Sequence, residues 1–245
     1  MSERCHDEIL GIPFDTRSQG ELERIIAGYL CGTTFRRIAT VNPEFLVLAK
    51  NDPDFARCLM SADIRIVDGS GIVLVGLLSG FGVSRYPGAD LMTFLLSIAE
   101  REEVPVYLAV NRDGLSSYVD VHDSLRRIFP NLILSGCDLL GTEAAIPDDI
   151  REAGLVLCNF GAPRQEYFLE SLRHTPGSIR LAMGVGGSFD FLTGKRSRAP
   201  RLIRAMGLEW LFRLVTQPKR FVRIWNAVVI FPFLCLSDRM RGGKQ

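Results

Sequence analysis

The sequence predicts an α/β protein: a mostly parallel sheet with helices on both faces, followed by a helical C-terminal appendage. Two observations carry the first part. Short β-branched runs alternate with longer stretches of helical spacing, the signature of βαβ units. The runs are also predominantly apolar, as strands buried on both faces are. A third observation marks the appendage. Residues 195–245 hold twelve Lys/Arg against Glu209 and Asp238 and net +10, so in a chain of net +1 residues 1–194 net −9. The reading is a Rossmann-like body over 1–194 and a basic amphipathic appendage over 195–245.

The elements follow in order. Residues 9–14 read as a strand, and Ser18-Gln19-Gly20-Glu21 is a capping box opening a helix to about Leu30. Strands are expected at 37–41, 64–67, 104–110, 132–134, 155–159 and 179–183, with helices at 44–59, 91–101, 115–129 and 165–173 between them. After Gly194 the alternation stops. Residues 201–216 and 219–231 read as two helices separated by Gln217-Pro218.

Composition narrows the function classes. A chain of 245 residues, 47% hydrophobic, builds one well-buried core and not a disordered tail. The cysteines at 5, 31, 58, 137, 158 and 235 form no C-x-x-C pair, which reads as reduced core thiols of a cytosolic protein. His6, His122 and His174 stand apart, so no metal site and no cofactor are expected. The N-terminus lacks a signal-peptide pattern. The apolar stretch 221–236, interrupted by Arg223, Asn226 and Pro232, falls short of the roughly 18 residues of a spanning helix. It is expected to lie on a membrane or pack on the body.

Ligands of open α/β sheets bind at the carboxyl ends of the strands. Four such ends are polar or glycine-rich. The first is Thr40-Val41-Asn42-Pro43-Glu44, where Thr40 and Asn42 can bind a ligand or Asn42 can simply cap a helix. The second is Asp68-Gly69-Ser70-Gly71, where Asp68 is either a general base or an N-cap. The third, Asn159 to Glu166, places Pro163 at a helix start that favours an anion, with Arg164 and Gln165 as contacts or as an ordinary solvated first turn. The fourth is Gly184-Val185-Gly186-Gly187-Ser188-Phe189-Asp190. Its Phe189 replaces the third glycine of a dinucleotide fingerprint, yet Gly184, Gly186, Gly187 and Ser188 still allow close approach to a phosphate. No Walker motif or nucleophile elbow occurs.

These segments, together with Ala62-Asp63, Pro87-Gly88-Ala89-Asp90-Leu91-Met92, Arg198-Ala199-Pro200-Arg201 and Gly207-Leu208-Glu209-Trp210-Leu211, resemble the WecG/TagA/CpsF family of bacterial glycosyltransferases (glycosyltransferase family 26) in family order over nearly the whole chain. The resemblance implies an inverting, metal-independent transfer from a UDP-sugar to a sugar on an undecaprenyl-diphosphate carrier, at the inner face of the cytoplasmic membrane. It assigns the base to Asp68 and a substrate pocket to Thr40, Asn42 and Gln165. N-acetylmannosamine, its uronic acid and glucose are all donor sugars within such a family, and a homo-oligomer stays open.

The residues agree with that assignment. A single displacement needs one carboxylate for the acceptor's proton, and Asp68 supplies it. The leaving diphosphate is left to backbone N–H groups and arginines. One segment departs: Val110-Asn111-Arg112-Asp113-Gly114 stands where the family commonly has a Gly-Gly pair, at a loop that bears on donor preference.

Two rival readings are weaker. A nicotinamide-dependent oxidoreductase needs an early glycine fingerprint that is missing. A non-catalytic binder would use the basic tail on an anionic membrane or nucleic acid. The tail mixes its cations with Trp210, Phe212, Phe221, Trp225, Phe231 and Phe233, which suits an anionic membrane surface and not nucleic acid. Arg213, Arg220 and Arg223 are expected to face the carrier's diphosphate or lipid headgroups.

Overall fold

The computed structural model describes residues 6–78, 80, 82–142, 146–200, 202–203, 206–217 and 221–242. A β-hairpin, β1 (His6–Ile9) and β2 (Ile12–Asp15), leads into α1 (Gln19–Leu30). A six-stranded sheet follows: β3 (Arg36–Val41), β4 (Ile64–Val67), β5 (Val106–Asn111), β6 (Leu134–Leu139), β7 (Leu155–Cys158) and β8 (Leu181–Gly184). Its order is β4-β3-β8-β7-β5-β6 and every pairing is parallel. The predicted α/β class is therefore observed. The chain runs outward through β3 and β4, crosses to β5 and β6, and returns through β7 and β8. All carboxyl ends consequently open on one side, with the switch of direction at the middle of the sheet.

The crossovers are α2 (Pro43–Asn51), α3 (Pro53–Met60), α4 (Ser70–Leu78), α5 (Gly88–Arg101), α6 (Tyr118–Ile128) and α7 (Arg164–Ser171), and α8 (Ser188–Leu192) follows the last strand. Buried residues of β4, β5, β7 and β8 pack one face of the sheet against α1, α5 and α6 through Ile26, Leu95 and Leu125, all fully buried. The other face packs on α2, α3 and the hairpin through Phe14, Phe45 and Phe55.

Several boundaries differ from the sequence reading, each for a local reason. The expected strand 9–14 is a hairpin, because Leu10 and Gly11 turn at φ 54° and 78°. The expected helix 44–59 is two helices: Asp52 accepts from Asp54 N–H at 3.0 Å and Phe55 N–H at 3.1 Å and starts α3 with Pro53. The strand expected at 132–134 lies at 134–139. As an edge strand it is only half-buried and carries the polar run Ser135-Gly136-Cys137-Asp138. Helix α4 was not expected, since Ser70–Leu78 is apolar all round and shows no period.

A buried ion cluster ties the sheet to its helices. Arg37 of β3 is fully buried and donates to Glu166 at 2.5 Å, to Glu170 at 2.9 Å, to Ser61 Oγ at 3.1 Å and to the Cys58 carbonyl. One side chain thus holds α3 and α7 on the sheet.

The C-terminal segment has α9 (Glu209–Thr216), shorter than the helix expected at 201–216. A turn at Gly207, φ 72°, precedes it, and residues 201, 204 and 205 lie outside the description. From Phe221 one helix continues to Gly242: α10 (Phe221–Trp225), a π-helical stretch Asn226–Ile230, and α11 (Phe231–Gly242). The expected interruption does not occur. Pro232 falls in the first turn after the π-helical stretch, where the irregular ladder absorbs its missing N–H. By length and composition alone, Phe221–Arg239 is apolar enough to cross a membrane. Phe231, however, is fully buried in the same core as Phe45, Val67 and Ile72. Lys50–Asp238 (3.2 Å) and Arg239 Nη1 on the Leu78 carbonyl (2.8 Å) hold α11 along the body.

Candidate active site

At the tip of β4, Asp68 continues the ladder by donating its N–H to the Val41 carbonyl at 2.8 Å. Its carboxylate Oδ1 accepts the Gly88 N–H at 3.1 Å, at the start of α5. Of the two readings of Asp68, the cap of its own following helix is thus not the one observed. Burial pushes its carboxyl above the ordinary aspartate range, against the Gly88 N–H bond and the charges of Arg85 and Arg213.

The chain beyond α4 returns beside β4, where Tyr86 donates its N–H to the Val67 carbonyl at 2.9 Å. This sets Arg85 over Asp68: its Nε donates to the Asp68 carbonyl at 2.6 Å and its Nη2 to Glu209 at 2.8 Å. Glu209 also accepts from Arg213 at 2.5 Å. A carboxylate of α9 therefore clamps two arginines at the mouth of β4. The two cations hold its pKa below the usual glutamate value despite the cost of burial.

At the end of β3, Thr40 Oγ1 donates to the Gly184 carbonyl at 3.2 Å. Asn42 caps α2, its Oδ1 accepting from Glu44 N–H at 2.9 Å and Phe45 N–H at 3.2 Å, while the residue still faces the cavity. At the end of β7, Gly161 turns at φ 75° and donates to Gln165 Oε1 at 3.2 Å. Gln165 Nε2 donates in turn to Glu166 at 3.0 Å. Arg164 donates to the carbonyls of Leu140 (3.0 Å) and Phe160 (3.3 Å). Both side chains are thus committed to shaping the turn as well as lining the cavity. At β8, a Cβ on Gly184 would sit 2.3 Å from Gln165 Nε2, so any larger residue there must displace Gln165. Gly184→Ala is expected to displace Gln165 and cost about 1–3 kcal/mol in stability, read from the urea midpoint.

These ends enclose a cavity of about 430 Å³. Thr40, Asn42, Asp68, Arg164, Gln165, Gly186, Gly187, Ser188, Arg213 and Arg223 all line it, although they come from six separate stretches of sequence. Gly184 lies directly behind Gln165 instead of on the wall. Arg220 lies outside the described residues. Arg223 is exposed and pairs with Glu44 at 2.6 Å. Sequence reasoning missed Arg85 on the wall; Arg196 and Arg198 lie within the basic appendage it marked, and Asp190 and Glu209 lie within the resembling segments, though none of the four was singled out. Arg85 had no signal, because it stands outside every motif read from the sequence. The wall carries six arginines against four acids, a balance that favours an anionic ligand such as a diphosphate. The departing loop at Asn111 reaches the wall too, and Asn111 donates its N–H to Asn159 Oδ1 at 2.6 Å. Among the described residues no cluster of three or more His, Cys, Asp or Glu is placed to hold a metal ion.

Residues 8–245 match the model of the glycosyl transferase WecG/TagA/CpsF family. The chain belongs to this family. It is a glycosyltransferase. Among similar curated proteins is the N-acetylglucosaminyldiphosphoundecaprenol N-acetyl-beta-D-mannosaminyltransferase of Bacillus spizizenii, 33% identical over 195 residues that cover 76% of this chain and 74% of that protein. The protein of the same name from Bacillus subtilis is 30% identical over 194 residues, with the same coverage of 76% and 74%.

Proposed function

We propose that the protein transfers an N-acetylmannosamine-type sugar from its UDP ester to N-acetylglucosaminyl diphosphoundecaprenol, in the synthesis of a bacterial surface polysaccharide. The observation that carries this reading is the Asp68 carboxylate, held by the Gly88 N–H in a cavity ringed with arginines. In an inverting single displacement the acceptor hydroxyl oxygen bonds to the donor's anomeric carbon as the bond from that carbon to the UDP oxygen breaks. Asp68 takes the hydroxyl proton, and the departing diphosphate takes up the bonding electrons. Arg85, Arg196, Arg198 and Arg213 meet its charge without a metal ion. The relatives' names, which specify both the transferred sugar and the lipid-linked acceptor, support the choice of substrates. The test is a panel of UDP-sugars against N-acetylglucosaminyl diphosphate lipids, run in EDTA. Transfer from UDP-N-acetylmannosamine, with inversion at the anomeric carbon, is the expected result, and its absence across the panel overturns the reading.

A pH profile checks the base. Asp68 acts only when ionised, and burial raises its pKa. Activity should therefore be lost as pH falls through an apparent pKa above the ordinary aspartate range. An acid limb at or below that range would remove Asp68 from the role.

We further infer that residues 195–245 act as an appendage that docks the 1–194 body on the inner face of the cytoplasmic membrane. Support comes from the apolar face left open by Phe221, Trp225 and Phe233, which are 54%, 48% and 66% exposed beside the exposed Arg223. With Phe231 anchored in the core and α11 held along the body, lying on the surface fits the helix better than crossing it. Replacing Phe221, Trp225 and Phe233 together by serine is expected to lower co-sedimentation with anionic liposomes on the order of tenfold or more. Undiminished binding would move the anchor elsewhere.

A further inference from the structure

We propose that a second, apolar groove beside the catalytic cavity holds the isoprenoid chain of the lipid-linked acceptor. The proposal rests on the acceptor reading given above and adds the subsite that reads the lipid. The groove encloses about 530 Å³. Three elements wall it: α4 with Leu74 and Leu78, the turn into α9 with Met206 and Trp210, and the C-terminal helix with Val228 and Pro232. Leu74, Leu78 and Met206 are 58%, 65% and 55% exposed. A single large apolar residue at a surface needs no explanation, but three elements turning theirs toward one concavity do.

The groove is a built feature. Ser70 Oγ donates to the Gly207 carbonyl at 3.2 Å and fixes the start of α4 to the turn before α9. Arg239 on the Leu78 carbonyl fixes the other end of α4 to α11. Gly71 keeps the floor open, since a Cβ there would already meet Pro43 Cγ at 3.2 Å. The walls are thus held apart while their apolar side chains remain uncovered.

The occupant follows from the chemistry along the groove. It shares Asn42, Asp68, Arg85, Glu209, Arg213 and Arg223 with the catalytic cavity, and its remaining lining is predominantly apolar. The lining shared with the cavity thus holds the Asp68 carboxylate with Arg85, Arg213 and Arg223, and the lining beyond it is largely hydrocarbon. The acceptor presents a sugar hydroxyl, a diphosphate and an isoprenoid chain to match. A bilayer phospholipid could set its phosphate on the arginines and its acyl chain in the apolar part, but it carries no sugar hydroxyl for the carboxylate, and a second copy of the protein brings no diphosphate for the arginines.

The experiment uses the full-length protein in detergent solution without a bilayer. N-acetylglucosaminyl diphosphate is supplied on a long isoprenoid and, separately, on a short alkyl chain, and the readout is the ratio of kcat/KM for the two. Wild-type protein is expected to favour the long chain by on the order of tenfold or more. Leu74→Gln, on the exposed wall, and Ala227→Trp, which fills the groove, should each erase most of that ratio, with KM for the donor unchanged. If Ala227→Trp fails to fold, Leu74→Gln decides alone. A wild-type ratio near one, or a ratio that both variants preserve, overturns the groove and leaves the glycosyltransfer reading standing. A preserved ratio with altered oligomeric state or liposome binding assigns the groove to a second copy or to the bilayer. Transfer to neither acceptor overturns the acceptor reading itself, and the groove with it.

Discussion

Asp68→Asn is expected to lower kcat by about 10²–10⁴-fold without loss of stability. The amide keeps an oxygen at the position that accepts the Gly88 N–H at 3.1 Å, so the join between β4 and α5 survives. What disappears is the only function asparagine cannot copy, acceptance of a proton from the attacking hydroxyl. The sign of the stability change is also fixed. A carboxyl whose pKa is raised by burial carries a cost in the folded state above its unfolded pKa, so removing its charge at neutral pH should leave the protein as stable or more so. Single-turnover kinetics with thermal denaturation separate the outcomes. Full activity would end the general-base assignment, and a collapsed melting point would make Asp68 a structural residue.

Arg37→Ala carries the largest expected stability effect, about 3–5 kcal/mol, because it leaves the fully buried Glu166 carboxylate without its charge partner. Glu170, Ser61 and the Cys58 carbonyl lose a donor in the same step. The consequence reaches the site, since Glu166 also accepts from Gln165, which in turn holds the Gly161 turn. By contrast, Arg36→Ala breaks a pair with Asp63 in which the guanidinium is 40% exposed, and should cost no more than about 1 kcal/mol. Urea denaturation of the two variants makes the comparison, and equal midpoints would show that the buried cluster contributes nothing special.

Much of the fold is legible from local pattern. The β4 run Ile64–Val67 stands in the sequence with its boundaries, because its apolar Ile64, Ile66 and Val67 mark a buried strand even with Arg65 among them. Helix α1 is legible through its capping box, in which Ser18 N–H donates to Glu21 at 3.0 Å. Where the reading slipped, the local signal was ambiguous. Helix α4 has no polar face to reveal a period, β6 is an edge strand with a polar run, and the C-terminal helix continues through a proline that a π-helical stretch accommodates.

The site divides along the same line. The placement of Asp68, Thr40, Asn42, Gly186 and Gly187 on the cavity wall was legible because an open sheet gathers the residues just after its strands at one edge. Arg85 and Glu209 were not, because their roles exist only as a pair 124 residues apart. The sequence by itself determined where β3, β4, β5, β7 and β8 lie and roughly where their carboxyl ends fall, and that the cations gather in the last fifty residues. Only the tertiary structure decided that Glu209 draws two of the site's arginines over Asp68, that Phe231 seats the C-terminal helix in the core, and that an apolar groove opens beside the cavity. The physical reason is range: periodicity and capping are set by neighbours within a few residues, whereas an ion pair or a groove is set by which distant surfaces the packing of the sheet brings together.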